Sequence, residues 1–190
     1  MILGIPKETN DRRVAFAPAT LAKAVKDLGI ECWLESGAGL AASFPDGAYS
    51  EVAKVVTRAE LLQHSDIVVS INPIPESEWK LLKKEAIVIS RFESYMKPEV
   101  VGKLQEAGLR AFGLDMVPRT TLAQSMDVLS SLASISGYKA VLLATHYFPR
   151  YFPMLITPAG SVKPSTVLVL GAGVAGLQAI ATAKRLGAIV

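Results

Sequence analysis

Short apolar runs alternate with segments of helical periodicity through residue 123. The apolar runs predict strands, because each is short and bounded by turn residues. These predicted strands cover residues 2–5, 30–34, 67–71, 86–90 and 109–114. The periodic segments predict helices at residues 18–28, 59–63, 77–84 and 98–107. Strands that alternate with helices form parallel βαβ units, so we predict a doubly wound α/β domain of the Rossmann or flavodoxin type.

The pattern changes at Gln124, where residues 124–145 predict one long helix rich in Ser, Ala and Gly. Small residues permit close packing of backbones, which we expect here between two domains. An aromatic and proline-rich connection follows at residues 148–160. We therefore place the domain boundary within residues 119–124. This gives an N-terminal α/β domain of residues 1–123, followed by residues 124–190 with an interdomain helix and the start of a second, Rossmann-type domain.

The apolar run beginning at Val167 leads into glycines with the spacing G-x-G-x-x-G, at Gly171, Gly173 and Gly176. A buried strand, this turn and a helix form the context that a dinucleotide-binding turn requires. The first glycine allows a tight turn, the second lets the backbone approach a pyrophosphate, and the third lets helix and strand pack closely. The N-terminus of the helix offers amide donors to the phosphates. The predicted cofactor-binding residues are Gly171, Gly173, Val174, Ala175 and Gly176.

Two other interpretations of this stretch remain open. A tight turn between strand and helix can exist without any ligand. The uncharged run of residues 165–183 could also suggest a membrane span, but the glycines and Gln178 disfavour one. The chain ends at Val190, before the ribose-binding acidic residue expected about 20 residues after the glycines. We therefore expect a fragment that does not complete the nucleotide site by itself.

Composition and charge mainly exclude classes of partner and site. The chain is 51% hydrophobic and 19% charged, which is typical of a packed globular protein. The net charge of +3 comes from scattered Lys and Arg residues, so we expect no nucleic-acid partner. Cys32 is the one cysteine and excludes an intrachain disulfide. His64 and His146 have no metal-ligand neighbours, so we expect no metal site. No signal peptide is expected, since the chain begins directly with a strand.

Four stretches together resemble the NAD(H)-binding alpha subunit of proton-translocating nicotinamide nucleotide transhydrogenases. They are GIPKETNDRRVAFAPAT, ESGAGLAASFPDGAY, PRTTLAQSMDVLSSLASISGYKAVLLA and VLVLGAGVAGLQAIATAKRLGAIV, and they span essentially the whole chain. Alanine dehydrogenases share the two-domain fold and are similar in the first and last stretches. The resemblance therefore identifies the alanine dehydrogenase/transhydrogenase family, whose two branches differ in chemistry.

The residues that match alanine dehydrogenase positions favour the transhydrogenase branch. Alanine dehydrogenases hold the substrate carboxylate with an arginine, which Arg13 matches, and they use a lysine and a histidine at places that fall on Asn72 and Glu93. Amino-acid oxidation must move protons and needs an acid–base group of near-neutral pKa. Hydride transfer between two nicotinamides needs positioning instead, which a site without His or Lys permits.

The loop of residues 119–130 carries the transhydrogenase resemblance most directly. The family has an Arg, a Gln, an Asp and a Ser at this spacing, which fall on Arg119, Gln124, Asp127 and Ser130. The resemblance implies that these four residues contact the nicotinamide end of NAD(H) and the facing partner domain, and they are our candidate catalytic residues. In the alternative interpretation, Ser125 or Asp127 caps a helix and Arg119 is a surface charge.

The resemblance implies that NADH on this chain gives a hydride to NADP⁺, with NADP(H) held by a separate partner domain. It also implies membrane-embedded partner segments that couple the reaction to proton movement, a homodimer, and a peripheral place on the cytoplasmic side of the inner or plasma membrane. We expect no span in this chain, and no activity of the 190 residues alone. The alternatives are an alanine dehydrogenase-like amino-acid dehydrogenase and a truncated, non-catalytic scaffold.

Overall fold

A computed structural model describes the whole chain, residues 1–190. The residues form two compact units, Met1–Val117 and Pro118–Val190. The division lies just before the boundary region predicted at residues 119–124. The assignment of residues 1–123 and 124–190 to two functional domains stays a prediction.

The first unit is built on a six-stranded sheet in which every neighbouring pair of strands is parallel. The strands are β1 (Ile2–Ile5), β2 (Glu31–Glu35), β3 (Lys54–Val56), β4 (Ile67–Val69), β5 (Ile87–Ser90) and β6 (Arg110–Gly113). Their order across the sheet is β3-β2-β1-β4-β5-β6. The chain therefore winds outward from β1 in both directions, which confirms the predicted doubly wound α/β class.

Helices cover both faces of this sheet. They are α1 (Pro18–Leu28), α2 (Arg58–His64) and α3 (Glu99–Glu106). Leu3 and Ile5 of β1 are buried in one cluster with Leu21 of α1. A second cluster joins Val68 of β4 to α2 and α3, through Leu61 and Leu104 respectively. Consecutive residues of a strand point to opposite faces of the sheet. Because both faces are covered, the strands are apolar at nearly every position, which explains the continuous apolar runs in the sequence.

Two elements of the first unit differ from the prediction. The strand β3 was not predicted, because its three residues include an exposed lysine, Lys54, at the edge of the sheet. Residues 77–84 were predicted as a helix, and the structure has a 3₁₀-helix at Glu76–Leu81, which ends three residues earlier. Its Trp79 is buried and donates its indole N–H to the carbonyl of Ile74 over 2.9 Å. This bond to a residue five positions earlier holds the segment as a tight turn.

The second unit contains a long helix, a hairpin and a shorter helix. Its elements are α4 (Val128–Tyr147), β7 (Leu155–Thr157), β8 (Gly160–Val162) and α5 (Val174–Arg185). The predicted start of the long helix at Gln124 was wrong, because Gln124–Met126 forms a separate 3₁₀ turn. Asp127 then caps α4 from outside it. Val141 of α4 and Ala179 and Ala183 of α5 form a small buried core.

The predicted buried strand before the glycine turn is the clearest departure in the second unit. The structure has only an isolated parallel bridge between Thr166 and Ile189. Val169 packs on the small core, whereas Leu168 and Leu170 are 83% and 88% exposed. A strand is fully buried only when other elements cover both of its faces. In the second unit the small core covers the face that carries Val169, and the face with Leu168 and Leu170 is exposed.

Helix α4 is long and apolar enough to cross a membrane by length and composition. From the sequence we expect no membrane span in this chain, and that expectation stays a prediction. Length and composition alone do not separate a span from a helix that packs in a water-soluble domain. Gly137 and Val141 of α4 are buried within the second unit, so this helix takes part in that unit's packing.

Candidate functional site

The glycine turn at the start of α5 has a geometry that depends on two of its three glycines. Gly171 has a φ of +101°, in the left-handed region that favours glycine. A Cβ atom at Gly176 would lie 2.0 Å from the carbonyl oxygen of Gly171. Gly173, in contrast, has an ordinary φ of −74° and nothing within 4 Å of an added Cβ. The turn therefore needs glycine structurally at two positions and leaves open space at the third.

The N-terminus of α5 is free of competing side chains. Its N-cap is Gly173, no side chain caps it, and no acidic residue stands in its first turn. Its basic residues, Lys184 and Arg185, lie in the last turn. The amide groups and the positive end of the helix dipole at this end are thus available to an anion.

Asp127 organises the start of α4. Its carboxylate accepts hydrogen bonds from the backbone N–H of Ser130 at 2.9 Å and from the Ser130 hydroxyl at 2.6 Å. These hydrogen bonds from Ser130 lower the pKa of Asp127. An ionised carboxylate at a helix N-terminus is also favoured by the helix dipole. Asp127 therefore caps the helix, as the alternative interpretation of this residue anticipated, and fixes the direction of the Ser130 side chain.

A cleft of about 440 Å³ joins the start of α4 to the glycine turn within the second unit. Its lining includes seven predicted site residues, Arg119, Ser130, Gly171, Gly173, Val174, Ala175 and Gly176. Asp127 stands behind Ser130, and Gln124 does not line the cleft. Three lining residues were not predicted: Leu129, Ala133 and Leu170. The helical spacing from Ser130 to Ala133 would have indicated one of them.

The cleft suits an anionic dinucleotide. It combines a guanidinium from Arg119, a hydroxyl from Ser130, and an uncapped helix N-terminus at Gly173. The open space above Gly173 gives a pyrophosphate room to approach the backbone. No group of three or more His, Cys, Asp and Glu side chains in the chain could hold a metal ion. The arrangement can bind and orient a nucleotide, and its lining contains no His, Cys, Lys, Asp or Glu that could act as a general acid or base.

The residues at alanine dehydrogenase positions lie at the carboxyl edge of the sheet in the first unit. Arg13 is bound by Asp11, and Asn72 also donates to Asp11 at 3.3 Å. The structure therefore brings Arg13 and Asn72 together through a third residue. The Lys97 ammonium group donates to the carboxylate of Glu93 at 2.9 Å, and this contact lowers the pKa of Glu93.

Comparison with known proteins gives consistent matches along the chain. The family model described as "Alanine dehydrogenase/PNT, N-terminal domain" matches residues 4–136, and its C-terminal counterpart matches residues 140–190. An NAD(P) transhydrogenase subunit alpha of Haemophilus influenzae is 44% identical over the whole chain, which covers 37% of that relative.

Two solved structures extend these matches. A transhydrogenase from Sinorhizobium meliloti superposes with a TM-score of 0.92 at 40% identity, covering 99% of this chain and 57% of that one. An L-alanine dehydrogenase superposes with a TM-score of 0.83 at 25% identity, covering 99% of this chain and 53% of that one. The chain thus spans less than two thirds of the length of each protein to which it is compared.

Proposed function

Because the chain belongs to the alanine dehydrogenase/PNT family, we propose that it is the NAD(H)-binding component of a proton-translocating transhydrogenase. In this proposal NADH bound here gives a hydride to NADP⁺ held on a partner domain. The relatives at 40% and 44% identity are a transhydrogenase and an NAD(P) transhydrogenase subunit alpha, which supports the transhydrogenase branch over the dehydrogenase branch.

One observation carries the proposal: residues separated by some fifty positions in sequence line a single cleft of the second unit. Arg119 and Ser130 come from the start of this unit, and the glycine turn comes from near its end. Arg119 and Ser130 were selected by the resemblance of the loop at residues 119–130, and the glycine turn was selected by its glycine spacing. Both select residues that line the same cleft.

The proposed roles follow from the chemistry of each group. The amides at the start of α5 bind the pyrophosphate, and Gly173 lets it approach closely. Arg119 supplies a positive charge for a phosphate or donors for a ribose hydroxyl. Ser130, oriented by Asp127, contacts the nicotinamide end, and Gln124 faces the partner domain. The bound dihydronicotinamide supplies the hydride, so the protein's contribution is positioning and electrostatics.

The proposed assembly follows from the same reaction. NADP(H) is held by a separate NADP-binding domain, and membrane-embedded segments couple the hydride transfer to proton movement. We place the chain at the cytoplasmic side of the membrane, as a peripheral component that forms a homodimer. Residues 124–190 then belong to the NAD-binding domain, and residues 1–123 form the N-terminal domain of the alanine dehydrogenase/transhydrogenase type.

An alanine dehydrogenase-like activity is the second candidate, and one observation favours it. The L-alanine dehydrogenase structure matches 99% of the chain, and Arg13 stands where that branch binds a carboxylate. Against it, Arg13 is already paired with Asp11, and the neighbouring positions hold Asn72 and Glu93 instead of Lys and His.

Oxidation of NADH by the full-length protein encoded by this reading frame separates the two candidates. We expect oxidation only when the NADP-binding domain loaded with NADP⁺ is added, and none with pyruvate plus ammonium. Arg119→Gln is expected to lower the rate by about tenfold or more, since it removes a charge-assisted contact. Oxidation that depends on pyruvate and is indifferent to the NADP⁺-loaded domain would instead support the dehydrogenase.

A matched arginine variant shows whether the effect is local. Arg110→Gln removes the same charge from an exposed pair with Glu85 on the sheet edge of the first unit. It lies outside the cleft, so we expect the wild-type rate. Equal losses in both variants would contradict the role of Arg119.

A further inference from the structure

The first unit has a ligand crevice of its own by topology. The strand order β3-β2-β1-β4-β5-β6 reverses direction between β1 and β4. In open parallel sheets, ligands bind outside the carboxyl ends of the strands at such a switch point. The loops that begin after β1 and β4 therefore frame the position where a ligand would be expected in this unit.

Donor groups converge on this position. Arg13 follows β1, Asn72 follows β4, and Arg91 follows β5. The Arg91 side chain donates to the amide oxygen of Asn72 at 3.3 Å, and its Nε is buried without a hydrogen-bond partner. Two guanidinium groups and an amide at a switch point form a set of donors typical of a carboxylate-binding site.

A carboxylate of the chain itself, that of Asp11, already occupies the donors of Arg13 and Asn72. The Arg13 Nε donates to Asp11 at 3.0 Å, and a terminal guanidinium nitrogen of Arg13 donates to the second Asp11 oxygen at 2.5 Å. The same Asp11 oxygen accepts from the Asn72 amide at 3.3 Å. Arg13 holds the pKa of the Asp11 carboxyl well below its usual range, so Asp11 is ionised at neutral pH.

Glu8 fills the adjacent part of the crevice. It is 8% exposed, and its two carboxylate oxygens accept the backbone N–H groups of Ile71 at 2.5 Å and Asn72 at 3.0 Å. These amides follow β4 directly and would otherwise be donors for an incoming anion. Glu8 thus ties the loop after β1 to the loop after β4.

We propose that Asp11 and Glu8 are built-in carboxylate ligands of this crevice, and that Asp11 determines its specificity by keeping Arg13 from free small carboxylates. The bidentate contact of Asp11 mimics the way a guanidinium recognises a substrate carboxylate. Glu8 occupies the buried backbone amides of Ile71 and Asn72. Asp11 lies at the partly exposed rim: its side chain is 16% exposed, and that of Arg13 beside it is 43% exposed. Removing the Asp11 charge therefore opens the guanidinium without dismantling the buried link made by Glu8.

The test is a pyruvate titration of the 190-residue chain, read from backbone amide chemical shifts of the loops that hold Arg13 and Asn72. We expect no saturable shifts in the wild type. Asp11→Asn is expected to show saturable shifts, with a Kd at least about tenfold below the highest pyruvate concentration at which the wild type shows none, because a charge-assisted bidentate contact becomes available. Asp11→Ser should behave in the same way and replaces Asp11→Asn if that variant does not fold.

Three controls define the site. The double variant Asp11→Asn, Arg13→Gln should lose the gained binding. Asp27→Asn removes the same charge from an exposed position on α1 and should gain nothing. Pyruvamide, which lacks the carboxylate, should not bind any variant. Saturable pyruvate binding by the wild type would overturn the proposal, as would folded Asp11 variants that bind no better than wild type.

Discussion

Replacing Gly176 with alanine is expected to open the glycine turn and abolish NADH binding. The added Cβ would lie 2.0 Å from the carbonyl oxygen of Gly171 and 2.9 Å from its carbonyl carbon. Both atoms belong to the backbone, so no side-chain rotation can relieve the contact. Overpacking of this kind costs about 1–3 kcal/mol, and a rigid backbone partner places Gly176→Ala at the upper end.

Two measurements check this expectation. Thermal unfolding of the chain should show a lower midpoint for the second unit, and titration of the full-length protein with NADH should show no saturation. Gly102→Ala is the matched control, because an added Cβ at Gly102 in α3 meets nothing within 4 Å. It should leave the midpoint equal or slightly higher, since alanine favours a helix. Wild-type stability and wild-type NADH affinity in Gly176→Ala would contradict the described turn.

Replacing Gly137 with alanine is expected to separate α4 from α5 and destabilise the second unit. A Cβ at Gly137 would lie 2.0 Å from the carbonyl oxygen of Ala175. The contact is again with backbone, so one helix must move. That movement loosens the small core that contains Val141 and Ala179. A loss of about 2–3 kcal/mol lowers the midpoint of a unit of this size by roughly 10–20 °C.

Amide hydrogen exchange localises the effect of Gly137→Ala. Protection should fall in α4 and α5 and stay unchanged in the sheet of the first unit. Ser136→Ala is the neighbouring control, since Ser136 is exposed and its hydroxyl donates one hydrogen bond, to the Leu132 carbonyl of the same helix at 3.3 Å. A uniform loss of protection in both units, or none in either, would be inconsistent with a helix contact confined to the second unit.

Local sequence patterns predicted the elements whose ends are fixed by nearby residues. Helix α1 begins at Pro18 and ends before Gly29, which has a φ of +62° and closes the helix through the carbonyl of Val25. Proline in the first turn and glycine after the last turn have this effect independently of tertiary contacts. The same reasoning failed at Gln124, because the cap at Asp127 competes with continuation of the helix toward the N-terminus.

Long-range contacts could not be predicted in the same way. The glycine spacing indicated the turn, but the sequence does not reveal that Gly137 lies against Ala175. Gly137 packs within the second unit, and the expectation that the small residues of this helix pack between two domains stays a prediction. Glu8 contacts amides 63 and 64 positions later, which follows only from the strand order. The pairing of Asp11 with Arg13, two positions later, was not predicted either.

If the cleft at the glycine turn binds NAD(H), Gly173→Ala should weaken the binding of NADH in a titration against the wild type. Gly173 has an ordinary φ and open space around an added Cβ, so the variant should fold with an unchanged thermal midpoint. The new methyl group would occupy the space through which a pyrophosphate approaches the backbone. We predict saturable NADH binding by the full-length wild type and binding weakened by about tenfold or more in Gly173→Ala. No saturable binding by the wild type, or equal affinity in the two proteins, would contradict NAD(H) binding at the glycine turn.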